Sequence, residues 1–298
     1  LKRMVASIES GKIIKSISGF YDVLTPEGTV VRTRARGNFR KQGIKPIVGD
    51  LVDFADAYIL KVEPRQNQSV RPPVANLDVA VVVISAAEPA FSTNLLDRYL
   101  VYLAAQNIKA IIYVSKTDLL SAAELAELTP IWASYREIGY DLLIGQQEQA
   151  TQFTQLLQLI AEQQVMVMGQ SGAGKSTLLN HLFPQLQLPT AAISQSLNRG
   201  RHTTRTVTLY PFGKKGLIAD TPGFSSLELT VLAADQLANC FPEFVALADQ
   251  CRFRGCLHLQ EPGCAVKAAL EQQKIANFRY RDYQQMYQEI AAQKPVYR

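Results

Sequence analysis

The sequence is poor in cysteine, with four in 298 residues, and in histidine, with three. Four thiols are too few for a disulfide scaffold. Three of them crowd into residues 251–264, which suits a metal site in a reducing compartment. Long apolar runs are also lacking: runs such as residues 79–87 fall far short of the roughly 20 residues a membrane helix needs, so no membrane partner is expected. Residues 1–12 hold no apolar segment and no cleavage pattern. No signal peptide is therefore expected, and the expected location is cytoplasmic. Repeats and low-complexity tracts are absent, and nothing signals an oligomer, so a monomer is expected. Disorder over most of the length is excluded, because 47% hydrophobic residues supply enough apolar surface for packed cores.

At roughly 150 residues per domain, the length fits about two domains or three small ones. Changes of texture divide the chain into units 1–72, 73–232 and 233–298. The net charge of +5 sits wholly in the first unit, where 13 Lys and Arg face 7 Asp and Glu. A small basic unit attracts nucleic acid, although charge alone equally fits a soluble basic surface. Residues 13–24, 29–36, 48–54 and 58–62 read as short strands, and that density fits a small OB-fold-like β-barrel. Alternation over 29–36 places Arg32, Arg34 and Arg36 on one face. Arg40, Lys41 and Lys45 are expected in a nearby loop, and residues 63–73, with three prolines, read as a linker.

From residue 77 onward, apolar strands alternate with helical spacing: 77–85, 109–115, 140–144 and 165–168 as strands, with Leu95, Leu96, Tyr99, Leu100 and Leu103 on one helix. The middle unit is therefore an α/β domain with a mainly parallel sheet. From about 230 the pattern turns helical and irregular and ends in a long helix near 276–292.

Gly169-Gln170-Ser171-Gly172-Ala173-Gly174-Lys175-Ser176 fits the phosphate-loop pattern between a strand and a helix. Its backbone N–H groups and the following helix start, with Thr177, would cradle phosphates. Lys175 would neutralise the β- and γ-phosphate oxygens, and the Ser176 hydroxyl would bind Mg²⁺. Asp220-Thr-Pro-Gly223 ends an apolar strand, so Asp220 can hold the Mg²⁺ shell and the Gly223 N–H can contact the γ-phosphate. Ser115-Lys116-Thr117-Asp118 ends another strand. A carboxylate there accepts two hydrogen bonds from guanine, which adenine does not offer. These motifs point to GTP rather than ATP, with a P-loop kinase or ATPase as the rival reading. Their order is unusual: Asp118 precedes Lys175 by 57 positions. Pocket geometry depends on where strand ends lie, so a circularly permuted chain can build the same site.

The sequence resembles the circularly permuted GTPases of RsgA (YjeQ/YloQ) type. The phrases that carry the resemblance are Phe91-Ser-Thr-Asn-Leu-Leu-Asp-Arg98, Gly169 to Ser176, Gly200-Arg-His-Thr-Thr204 and Asp220-Thr-Pro-Gly-Phe-Ser225. The resemblance implies a basic barrel, a permuted GTPase and a mainly helical zinc-binding tail. It also implies that the protein binds the small ribosomal subunit and its rRNA late in maturation, and hydrolyses GTP to GDP when docked. A non-enzymatic RNA-binding module remains the second rival. Two residues depart from general GTPase patterns. Ser115 stands where many GTPases have Asn, and Phe224 stands where a water-orienting Gln is common. No motif for the loop that caps the base is evident, and by position residues 144–146 should fill that role. A phenyl ring cannot orient water, so unaided hydrolysis should be slow, on the order of 10⁻⁴–10⁻² s⁻¹. His202 is the candidate that positions water; by spacing alone it equally reads as a surface loop residue, and the resemblance favours catalysis. Thr204, or else Thr203, is the expected switch threonine on Mg²⁺.

In the tail, Cys251-x4-Cys256-x-His258-x5-Cys264 forms a Cys₃His set suited to one structural, tetrahedral Zn²⁺. Arg252 and Arg254 interleave with it and are candidate RNA contacts. Arg279, Tyr280, Arg281, Tyr283 and Tyr287 fit either RNA stacking or the packing face of a helix. Cys240 reads as a packed thiol and His181 as a structural residue.

Overall fold

The computed structural model describes residues 7–41, 43–145, 149–184, 207–220 and 232–293. Strands β1 (Glu9–Ile17), β2 (Phe20–Leu24), β3 (Val30–Ala35), β4 (Leu51–Ala55) and β5 (Tyr58–Val62) form the first unit. β1 pairs antiparallel with both β2 and β4, β2 with β3 and β4 with β5, while β3 and β5 run parallel. The order β1-β2-β3-β5-β4 thus closes on itself as an OB-fold-like barrel. Period-two alternation sends Ile13, Val23, Thr33, Val52, Phe54 and Ile59 inward. The loop expected at residues 40–45 is corrected in part: residues 38–41 form one helical turn, α1 (Asn38–Lys41), plugged into the barrel by buried Phe39. Four residues with one apolar anchor carry no detectable period.

The stretch read as a linker contains a hairpin, β6 (Gln68–Val70) with β7 (Pro73–Ala75). The Tyr102 hydroxyl accepts from the Val70 N–H at 3.2 Å and lies 3.1 Å from Ser69 Oγ. The hairpin is therefore seated on the next unit rather than tethering it.

That unit comprises β8 (Val79–Ser85), α2 (Thr93–Ala104), β9 (Lys109–Ser115), α3 (Ala122–Ile138), β10 (Asp141–Ile144), α4 (Gln149–Leu159), β11 (Gln164–Met168), α5 (Lys175–Leu182), β12 (Thr208–Phe212) and β13 (Gly216–Asp220). The sheet order is β10-β9-β8-β11-β13-β12, parallel except for β12. β8 is buried along its whole length, as a strand covered on both faces must be. Ala80, Val82 and Ile84 pack with α2, while Val79, Val81 and Val83 pack with α4 and α5. β12 continues the sheet into the barrel through the Lys15–Thr208 pairing with β1. Sequence reading misses β12 because Pro211 breaks its strand pattern.

The last unit is mainly helical, with α6 (Pro242–Val245), α7 (Ala265–Glu271) and α8 (Asn277–Ala291). It shares one apolar core with α2 and the barrel. Among the described residues, no helix is long and apolar enough to cross a membrane.

Candidate functional site

The C-terminal ends of the parallel strands meet at one sheet edge. The chain moves outward from β8 to β9 and β10, then returns to β11 on the other side of β8. The crevice at such a switch point is where α/β sheets bind ligands. Gly169 leaves β11 at φ +145, and a Cβ there would lie 2.1 Å from the Val83 carbonyl oxygen, so only glycine fits. Gly174, at φ +89, starts α5. The loop between them presents Ser171 and Gly172 to solvent and buries Ala173. Lys175 Nζ donates to the carbonyls of Gly169 (2.7 Å) and Gln170 (2.6 Å). Burial pushes its ammonium down to about 8, and a polyanion in the loop would reverse that push. Ser176 is half-buried at the helix start, and Thr177 is exposed.

The Ser115–Asp118 segment lies against this loop. Ser115 Oγ donates to the Ala173 carbonyl at 2.6 Å. Lys116, in the left-handed region at φ +57, donates to the Glu88 carbonyl. Thr117 Oγ donates to the carbonyl of Gly145, whose own N–H donates to Val114 O at 2.7 Å. Asp118 alone of the four is exposed. A carboxylate facing outward beside a phosphate loop has the chemistry to accept two N–H groups of a purine. Ile144 and Gly145, assigned by position to cap the base, are thereby brought beside Thr117; Gln146 lies outside the described residues.

The backbone of Asp220 ends β13, two strands from β8 across β11. The Asp220 side chain, the whole of His202, Thr203, Thr204, Gly223 and Phe224, and the Arg40 side chain lie outside what is described.

Cys251, Cys256, His258 and Cys264 converge, with one ligand atom of each within 4.8 Å of the others. His258 Nδ1 lies 3.3 Å from Cys264 Sγ and 3.6 Å from Cys251 Sγ. A tetrahedral ion with Zn–S and Zn–N bonds of ordinary length sets such edges at about 3.6 Å. The Ala265 N–H points at Cys251 Sγ (3.3 Å) and the Lys267 N–H at Cys264 Sγ (3.5 Å), as donors do around metal-bound thiolates. The Glu261 carboxylate holds the intervening loop by accepting from the N–H groups of Leu257 and Leu259, both at 2.8 Å. The residues present therefore fit a four-coordinate cation. Cys240 is apart from them and buried, which pushes its thiol up to about 11. His181 packs its ring 4.7 Å from that of Phe153.

On the barrel, Arg32, Arg34 and Arg36 are exposed, as is Lys41. Phe20, which sequence reading passed over, lies opposite Arg34 across β2 and β3. The Arg34 and Arg32 guanidinium groups stand 4.2 and 5.0 Å from its ring centroid. Its signal was available: an aromatic at the start of β2, across a tight hairpin register from alternating arginines. Arg252 and Arg254 are exposed with Phe253 between them. Arg279, Tyr280 and Tyr283 are buried, which settles their open reading in favour of packing. Arg279 donates to Asp97 Oδ1 at 2.5 Å and to Glu243 Oε1 at 2.7 Å. Burial outweighs Arg279 and the Tyr135 hydroxyl at Asp97 and pushes its carboxyl up to about 7.

The family described as RsgA GTPase matches residues 62–230, and the RsgA N-terminal domain matches residues 10–58. A small ribosomal subunit biogenesis GTPase RsgA from Leuconostoc citreum is 52% identical over 296 residues, covering 98% of each chain. The crystal structure of YloQ, a circularly permuted GTPase, superposes with TM-score 0.83 at 38% identity and full coverage of both chains. YjeQ from Thermotoga maritima superposes with TM-score 0.85 at 29% identity, over 97% of this chain and all of that one.

Proposed function

This chain belongs to the RsgA family of GTPases, and on that basis we propose that it binds the small ribosomal subunit through rRNA late in the subunit's maturation. Docking stimulates GTP hydrolysis, and hydrolysis is coupled to release. The observation that carries the nucleotide reading is the meeting of phosphate loop and base-reading segment, bridged by the 2.6 Å bond from Ser115 to Ala173. Gly169 to Thr177 hold the phosphates, Asp118 reads guanine, and Gly223 contacts the γ-phosphate. Mg²⁺ on Ser176, Asp220 and Thr204 supplies neutralisation of the phosphate oxygens when bound. His202 orients the attacking water, and Lys175 stabilises the charge that develops. A structural Zn²⁺ on Cys251, Cys256, His258 and Cys264 stiffens the tail.

The units 1–72, 73–232 and 233–298 divide the labour: barrel on rRNA through Arg32, Arg34, Arg36, Arg40 and Lys41, GTPase in the middle, and zinc unit contributing Arg252 and Arg254. The work is cytoplasmic, and the working species is a monomer. Turnover measured with and without purified small subunits tests this. Small subunits should accelerate GTP hydrolysis, ATP should not compete, and Lys175→Ala should abolish turnover. Equal rates with and without the subunit would refute the coupling, and tight ATP binding would refute the base assignment.

A further inference from the structure

Resting on the zinc reading above, we propose that Cys256 is a peroxide-sensitive site: a small neutral peroxide reaches the Cys₃His set there, and oxidation to a disulfide with a second thiolate of the set removes the cation. The four ligands are unequally shielded. Cys264 is 6% exposed and His258 2%. The sulfurs of Cys251 and Cys264 are both tied to the first turn of α7, by the N–H groups of Ala265 and Lys267. His258 is fixed from three directions. Glu261 accepts from the N–H groups of its chain neighbours Leu257 and Leu259, the Tyr280 hydroxyl donates to its carbonyl, and its ring stands edge-on to that of Phe244. The N–H beside the Cys256 sulfur is that of His258, from its own loop.

Cys256 also faces the open side. With His258 it lines a pocket of about 170 Å³. That is room for roughly five waters at about 30 Å³ each, and hence for hydrogen peroxide. Val245, on the pocket wall, is 50% exposed, and a Cβ on Gly255, just before Cys256, would meet nothing within 4 Å. Asp235, also on the wall, disfavours anionic oxidants and leaves a neutral one to enter. Cysteines that hold a metal are thiolates, and the thiolate is the nucleophile. The Cys256 sulfur attacks one oxygen of hydrogen peroxide, the O–O bond breaks, hydroxide leaves and a sulfenic acid forms. A second thiolate, whose sulfur lies within 4.8 Å, attacks the oxidised sulfur and expels another hydroxide. Two thiolates thus lose two electrons to one peroxide, which ends as two hydroxides. One thiolate and His258 remain, too few for a structural tetrahedral site. Since α8 rests on this loop through Tyr280 and Tyr283, the oxidised protein loosens where α8 meets α2.

The test treats zinc-loaded, full-length protein with hydrogen peroxide at levels that leave the buried Cys240 reduced. Dimedone, which captures sulfenic acids, should label Cys256 first. Peptide mass mapping should find a disulfide that includes Cys256, and zinc release, read with a chromogenic chelator, should rise with that disulfide. A thiol reductant with Zn²⁺ should restore the starting state. Cys256→His keeps a four-ligand set without the open sulfur, and should release zinc at least about tenfold more slowly. Val245→Trp, which narrows the pocket and replaces no ligand, should slow release too, and it stands in if Cys256→His does not hold zinc. First labelling at Cys251 or Cys264, release from these variants at the wild-type rate, or zinc retained after Cys256 is oxidised would each overturn the proposal. Wild-type protein that takes up no zinc at all would instead remove the zinc reading beneath it.

Discussion

Arg32 and Arg34 on β3 and Arg279 and Arg281 on α8 share a local signature, two arginines one residue apart beside aromatics, and they meet opposite fates. In a strand, residues two apart share a face, so both β3 arginines are exposed and both stand over Phe20. In a helix, residues two apart point roughly 200° away from each other. Arg281 is therefore exposed while Arg279 is fully buried between Asp97 and Glu243, with its guanidinium 4.5 Å from the Phe241 ring centroid. The same chemical group is thus exposed surface in one unit and an internal clamp in the other. The period of the backbone decides which.

The largest expected effect comes from removing the cation proposed for the Cys₃His set under the clamp. α8 rests on the loop of the Cys₃His set, because the Tyr280 hydroxyl donates to the His258 carbonyl at 2.6 Å and Tyr283 donates to that of Leu257. Structural zinc contributes roughly 10–16 kcal/mol in small peptides. A strong chelator should therefore unseat α8 and open residues 233–293 to proteolysis, while residues 9–62 stay resistant. Protection of both regions alike after verified metal removal would break the contrast.

Arg279→Ala comes next. It removes the partner of the buried Asp97 and of the half-buried Glu243, a loss of about 3–5 kcal/mol. Arg34→Ala on the surface should stay within about 0.5 kcal/mol. Urea unfolding of the two variants measures the difference directly.

The sequence showed β8, β9, the phosphate loop and the Cys₃His set because each is a short-range pattern: an unbroken apolar run, a glycine spacing, a ligand spacing. It did not show the clamp, since the partners of Arg279 lie 36 and 182 residues away. Nor did it show the ties from Ser115, Lys116 and Thr117, since their acceptors are main-chain carbonyls, which every residue has. α1 and β12 were hidden by brevity and by Pro211. The motifs were legible, and the contacts that hold them beside one another were not.

A smaller effect separates the two regions by pH. Asp97 titrates near 3.8 when unfolded and is pushed up to about 7 when folded. Between those values the folded state holds the extra proton, so its contribution to stability is full below the lower value and is lost as pH rises through the upper one. Asp97→Asn should flatten that fall between pH 4 and 7, and Arg34→Ala should leave it alone. Denaturant midpoints across that range decide. A variant curve parallel to wild type would mean that Asp97 stays ionised beside Arg279.

The smallest expected change in stability belongs to the barrel, where the expected change in binding is distinct. Arg34 stacks on Phe20, so its guanidinium plane is held open on the barrel surface beside Arg32, which also leans on Asp22 at 3.7 Å. An arginine that contacts a phosphate releases a counterion on binding, whereas an aromatic that stacks on a base does not. Arg34→Ala should therefore weaken rRNA binding and lower the slope of log K against log salt by about 1. Phe20→Leu removes the ring yet leaves both charges. It should weaken binding with the slope unchanged if Phe20 meets a base, and should mimic Arg34→Ala if the ring serves only to aim the guanidinium. Equal affinity and equal slope in all three proteins would show that these arginines, although exposed and aligned, are as uninvolved in RNA as the buried Arg279.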